Sequence, residues 1–135
     1  LYITIHYEAL NDLKEIKKIK DKKIGVGISL KPETEISEIF NILDEIDLVL
    51  IMSVEPGRGG QSFIESTYEK IIKLNEEIKK RNLNVIISVD GGINDKNIGN
   101  IIECGAKMIV LGSYLNTTND VKNAIYNIKY CKIQQ

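Results

Sequence analysis

Five short runs rich in Ile, Val and Leu recur along the chain, at positions 2–6, 24–30, 48–54, 84–90 and 108–112, with a stretch of helical periodicity after each. This alternation limits the fold more than any other feature. Strands that run apolar without a polar residue at every second place are covered on both faces, as in parallel sheets. The intervening stripes have helical spacing. Leu13, Ile16 and Ile19 form the first, with a charged exit at 20–23. Thr34 stands as an N-cap before Ile36, Ile39, Phe40 and Leu43. Tyr68, Ile71, Leu74 and Ile78 make a third stripe on a segment rich in Glu and Lys. Asn94 or Asp95 is placed to cap a helix carrying Ile98, Ile101 and Ile102, which stops at Gly105. Val121, Ile125 and Ile128 mark the last. The order βαβαβαβαβα predicts one α/β domain over residues 1–135, with right-handed crossovers. An open doubly wound sheet and a (β/α)8 barrel share this order, and both put functional residues at the C-terminal ends of strands.

Composition removes several function classes. Eighteen Lys and Arg against 19 Asp and Glu leave a formal charge of −1, so there is no polybasic footprint for nucleic acid. With 43% hydrophobic and 27% charged residues, the 135-residue chain is ordinary globular material of single-domain size. No apolar run approaches the ~20 residues that span a bilayer, so no membrane partner is expected. Cys104 and Cys131 lie far apart without CxxC spacing, which signals neither a disulfide framework nor a zinc ribbon. A reducing compartment, the cytoplasm, is the expectation. The chain opens with Leu1-Tyr2 inside an apolar run and has no initiator Met, so further sequence upstream is expected.

Polar residues gather where the apolar runs end. His6 closes the first, Glu55-Pro56-Gly57 follows the third, Asp90 closes the fourth and Gly112-Ser113 the fifth. In Gly57-Arg58-Gly59-Gly60, three glycines in four positions allow the backbone to turn its N–H groups toward a ligand. Such a loop before a helix suits a phosphate, or is simply a flexible turn. It fits neither a P-loop nor a dinucleotide fingerprint. Asp90, followed by Gly91 and Gly92, is placed either for proton transfer or metal ligation, or to cap a turn. His6 is the only histidine, and lone histidines are more often structural than ligands. Glu8 lies two residues on and adds little, and Met52 reads as core filler. In barrels the loops after the last two strands often bind phosphate, and Gly91, Gly92, Gly112 and Ser113 would then converge with the glycine loop. A phosphorylated small molecule satisfies all three signals.

These segments also spell a family. Ile3-Thr4-Ile5-His6-Tyr7-Glu8-Ala9, the run from Gly27 to Thr34, Met52-Ser53-Val54-Glu55-Pro56-Gly57-Arg58-Gly59-Gly60-Gln61-Ser62-Phe63, Val89-Asp90-Gly91-Gly92-Ile93 and Gly112-Ser113 resemble the ribulose-phosphate 3-epimerase family in order and spacing. The resemblance covers residues 2 to about 114 and implies a TIM (β/α)8 barrel, of which this chain looks like strands four to eight. It implies interconversion of D-ribulose 5-phosphate and D-xylulose 5-phosphate through an enediolate, in the pentose phosphate pathway. The implied cofactor is a divalent metal, Zn2+ or Fe2+, with Mn2+ or Co2+ as alternatives. The intact family member is implied to be a homo-oligomer. By this resemblance His6 and Asp90 are metal ligands that also meet the substrate, and Asp90 is one of two acid/base carboxylates. Gly57, Arg58, Gly59, Gly60, Gly91, Gly92, Gly112 and Ser113 hold the phosphate end, and Met52 lines the apolar side of the reacting centre.

The chain departs from the pattern in two ways. Arg58 stands where the family usually has Phe. The family's first three βα units, which carry the opposing Asp, a second metal-binding His and a Ser that contacts substrate, have no counterpart here. Two metal ligands of four and one carboxylate of two predict that these 135 residues alone are inactive or nearly so, with a sheet edge open to self-association. The alternative expectation is a non-catalytic phosphate-binding half-barrel or a partner subunit. Related phosphate-binding barrels, such as hexulose-phosphate synthase-like enzymes, lack the combination of His6-x-Glu8 with Pro56-Gly57-x-Gly59-Gly60-Gln61.

Overall fold

A computed structural model describes residues 2–54 and 62–110 of the chain. Five strands, β1 (Tyr2–His6), β2 (Gly25–Leu30), β3 (Leu48–Met52), β4 (Ile86–Asp90) and β5 (Met108–Val110), form one sheet. Every neighbouring pair is parallel and the spatial order is the chain order, β1-β2-β3-β4-β5. Sequential parallel order with a crossover after each strand is the arrangement of a (β/α) barrel wall; a doubly wound sheet reverses direction at a switch point. The expectation of strands from apolar runs therefore holds: β1 matches its run, β2, β3 and β4 are shorter by one or two residues, and positions 111–112 of the fifth run lie outside the described residues.

Three helices, α1 (Lys14–Asp21), α2 (Thr67–Lys80) and α3 (Ile98–Cys104), and a long 3-10 segment (Ile36–Glu45) make the crossovers. Side chains alternate along a strand. Val26, Ile28 and Leu30 of β2, Val49 and Ile51 of β3, and Ile87 and Val89 of β4 thus point to one side. There they join Ile16 of α1, Ile71, Leu74 and Ile78 of α2, and Ile101 and Ile102 of α3 in one continuous core. Each fully buried Ile or Leu stabilises the fold by about 1.5–3 kcal/mol relative to an exposed one.

Two helix starts differ from the sequence expectation. Thr34 does not cap the following segment. Glu35 does, in a capping box with Glu38, because the Thr34 hydroxyl is already donated to Glu8 at 2.5 Å. The segment also winds with 3-10 geometry, three residues per turn. Ile42 is accordingly buried beside Ile36, Ile39 and Leu43. Phe40 is only half-buried, beneath the Arg81 guanidinium 5.9 Å from its ring centre. Helix α3 starts at Ile98 after Asn97. Asn94 instead shapes the preceding turn: its Oδ1 accepts the Lys96 and Asn97 amides, and its own amide donates to Asn97 Oδ1. Gly105 ends α3 as expected, at φ +129°, with Asn75 so close that a Cβ there would lie 2.6 Å from its side chain. The expected helix through Val121, Ile125 and Ile128 lies outside the described residues.

Candidate active site

The face of the sheet opposite the helices is built differently. Thr4 and His6 of β1, Gly27 and Ser29 of β2, Leu48, Leu50 and Met52 of β3, and Ser88 and Asp90 of β4 share it, since register partners project to the same side. Gly27 is required there by space. A Cβ at that position would lie 2.7 Å from Thr4 Oγ1 and 3.2 Å from Leu48 Cδ2.

Polar groups collect at the C-terminal ends of the strands on this face. His6 pairs in register with Ser29, whose side chain is buried. Ser29 Oγ lies 2.8 Å from His6 Nδ1, a hydrogen bond that fixes the ring's orientation and leaves Nε2 unengaged by the serine. Register runs from His6 through Ser29 and Leu50 to Ser88. Asp90 is therefore on the same side as His6, two residues nearer the strand ends. The two are three strands apart, roughly 14 Å of arc at about 4.8 Å per strand. A shared ion thus requires the wall to curl about this face, as a barrel wall does.

Asp90 is half-buried, and burial pushes its carboxyl pKa above the ordinary aspartate value. Met52 is its register partner, so an apolar thioether side chain stands beside the carboxylate. Gly91 and Gly92 follow at φ +120° and +69°, a backbone path that L side chains rarely adopt. A Cβ on Gly91 would come within 2.6 Å of Val54 Cγ2. The sequence singles out this glycine pair, and its geometry requires glycine. Ser53, missed in the sequence, fastens the ends of β3 and β4 together. Its hydroxyl donates to the carbonyls of Asp90 at 2.9 Å and Gly91 at 2.5 Å, and its amide donates to the Asp90 carbonyl at 2.8 Å. The Ile64 amide in turn donates to the Ser53 carbonyl at 2.8 Å, so residues 53 and 64 meet at the base of the glycine-rich segment.

Glu8 has a larger part than its sequence position suggests. Its Oε2 accepts the Lys31 amide at 2.9 Å and the Thr34 hydroxyl. Partial burial works to raise its pKa, but these two hydrogen bonds, together with its own backbone amide and the nearby Lys31 charge, hold it below the ordinary glutamate value. The signal was a carboxylate just past a strand end, with no way to read its partners from local spacing.

His6, Met52, Asp90, Gly91 and Gly92 are thus gathered at one end of one face. Gly57, Arg58, Gly59, Gly60, Gly112 and Ser113 lie outside the described residues. Among the described residues no group of three or more His, Cys, Asp or Glu side chains is arranged to hold a metal ion. His6 and Asp90 by themselves fall short of the three protein ligands usual for a catalytic zinc, and suit a metal only as part of a larger ligand set.

A model of the ribulose-phosphate 3-epimerase family matches residues 1–116. The chain belongs to the ribulose-phosphate 3-epimerase family. It is 40% identical over 128 residues to the ribulose-phosphate 3-epimerase of Helicobacter pylori strain J99, covering 94% of this chain and 59% of the relative. The corresponding protein of Bacillus subtilis is 37% identical over 132 residues, 96% of this chain and 61% of the relative. The chloroplastic ribulose-5-phosphate-3-epimerase of Arabidopsis thaliana is 40% identical over 133 residues, 96% and 47% respectively. The chain spans about half the length of these relatives, and its five parallel strands are part of this family's TIM-barrel fold. Among the described residues no helix is long and apolar enough to cross a membrane.

Proposed function

We propose that this chain supplies part of the active site of a metal-dependent ribulose-phosphate 3-epimerase, interconverting D-ribulose 5-phosphate and D-xylulose 5-phosphate in the cytoplasmic pentose phosphate pathway. The observation that carries this reading is the shared placement of His6 and Asp90. They stand on one polar face, at the strand ends, in a chain of this family. Epimerising the carbon beside a ketone removes a proton on one side and returns one on the other, so two acid/base groups are needed. Asp90 is one of them. It stands half-buried at the end of β4 beside Met52, placed to exchange a proton with a bound substrate. The second carboxylate comes from outside the described residues. Met52 keeps the reacting centre apolar, and phosphate is held by Gly91 and Gly92 with Gly57, Arg58, Gly59, Gly60, Gly112 and Ser113. His6, through Nε2, and Asp90 would hold a divalent ion together with ligands from elsewhere. When bound, that ion supplies charge stabilisation for the enediolate.

By this reading the 135 residues taken alone turn over sugar phosphate at or near the uncatalysed rate. The test is a chimera that joins the stretch of the Helicobacter pylori relative left unmatched by this chain to the 135 residues. The chimera is expected to epimerise ribulose 5-phosphate with near-stoichiometric metal, and Asp90→Asn in it to lower kcat about a thousandfold. Full turnover by Asp90→Asn would remove the site assignment, and ordinary rates from the 135 residues alone would remove the claim of incompleteness. A second reading is a non-catalytic phosphate-binding half-barrel or partner subunit. It expects phosphate binding without metal in every preparation.

A further inference from the structure

We propose that Lys70 and Glu8 are positioning residues of the reaction, clamping the turn at residues 31–34 from two sides so that the turn directly after His6, and with it the end of β1, keeps its place relative to helix α2. The inference rests on the epimerase reading above.

The turn is closed by the Thr34 amide, which donates to the Lys31 carbonyl at 3.1 Å. Four of its other polar groups are divided between two distant side chains. Its donors, the Lys31 amide and the Thr34 hydroxyl, go to Glu8 Oε2 at 2.9 and 2.5 Å. Two of its carbonyls go to Lys70, whose Nζ donates to Pro32 and, at 2.8 Å, to Thr34. Glu8 sits two residues past His6, in the short 3-10 turn Tyr7–Ala9 that continues β1. Lys70 sits in the first turns of α2, the helix that follows the glycine-rich segment. The turn is therefore the common member joining the loop after β1 to the helix after β3. These bonds cross 23 to 38 residues of sequence.

A lysine satisfied by surface acids would leave its ammonium in water. Burial holds its pKa below the ordinary lysine value, against the opposing charges of Glu35, Glu33 and Glu8, and the described bonds of Nζ are to backbone carbonyls. Ordering a long lysine stem costs rotamer freedom, so the arrangement trades chain entropy for a fixed loop. A catalytic centre needs that fixity, since small misplacements of reacting groups lower rates steeply.

The clamp is tested in the active chimera and, separately, in the 135-residue chain. In the chimera, Lys70→Met is expected to lower kcat about tenfold while KM for ribulose 5-phosphate stays within about twofold, because the phosphate cradle is untouched. Thr34→Val should lower kcat several-fold. The double variant should be no slower than Lys70→Met alone, since both act through one turn. Lys70→Arg should recover most of the loss. In the 135-residue chain, Lys70→Met is expected to speed amide exchange at Lys31 and Thr34 about tenfold, leaving Ile28 and Val49 unchanged. Unchanged kcat in Lys70→Met, additive losses, or losses that merely follow global stability would overturn the proposal. A wild-type chimera without activity would instead overturn the epimerase reading, with the exchange measurement still deciding whether the clamp exists.

Discussion

The two faces of the sheet differ in what they are made of. On the helix side, Val26, Ile28, Leu30, Val49, Ile51 and Val89 are each wholly excluded from solvent and carry no polar group. On the other side the same strands present Ser29, Ser88, Asp90 and, at the edge, His6. One face holds the chain folded, and the other holds groups that can exchange protons or bind ions. Strand alternation lets a single backbone serve both ends without compromise, since neighbouring residues never share a face.

The separation predicts a graded series of effects. The largest belongs to the helix side: Ile51→Ala should destabilise by about 2–5 kcal/mol in urea unfolding. An equal cost from Asp90→Asn would break the distinction between the faces. Gly27→Ala comes next, because its methyl group must displace Thr4 or Leu48 on the inner side; about 1–3 kcal/mol is expected. No cost there would mean that the inner face is loosely packed. Ser29→Ala should cost only about 1 kcal/mol, but it removes the partner of His6 Nδ1 and should move the imidazole resonances in NMR spectra. Unmoved resonances would show that the serine does not orient the ring.

The smallest effects sharpen a contrast between two carboxylates. Asp90, with its pKa raised by burial, contributes stability that is fully present below the ordinary aspartate value and is lost as pH rises through its folded value. Glu8, with its pKa lowered, contributes stability that is present above the ordinary glutamate value and is lost as pH falls through its folded value. Asp90→Asn should therefore remove a decline toward higher pH. Glu8→Gln should remove a decline toward lower pH. Unfolding midpoints measured across the acid range check both signs.

Much of the wall was legible because buried parallel strands are continuous apolar runs, and the stripes at Ile71, Leu74, Ile78 and at Ile98, Ile101, Ile102 are long enough to betray their helices. The family motifs made the ends of β1 and β4 legible as well. What escaped is what depends on distant partners. Thr34 has the chemistry of a cap, and only the approach of Glu8 diverts its hydroxyl. Ile36, Ile39 and Ile42 fit a three-residue turn as readily as Phe40 and Leu43 fit a longer one, and packing decides between them. Ser53 and Lys70 carry no local mark. Their partners lie 36 to 38 residues away, brought near by strand pairing and helix packing rather than by neighbouring sequence.

The meeting of Ser53 and Ile64 has a practical corollary. Residues leaving β3 and those returning toward α2 pass through one narrow neck, stitched to the end of β4 by the Ser53 hydroxyl and amide. Because the two carbonyls held by the Ser53 hydroxyl belong to Asp90 and Gly91, loosening that neck by Ser53→Ala would be felt directly at the carboxylate that ends the neighbouring strand.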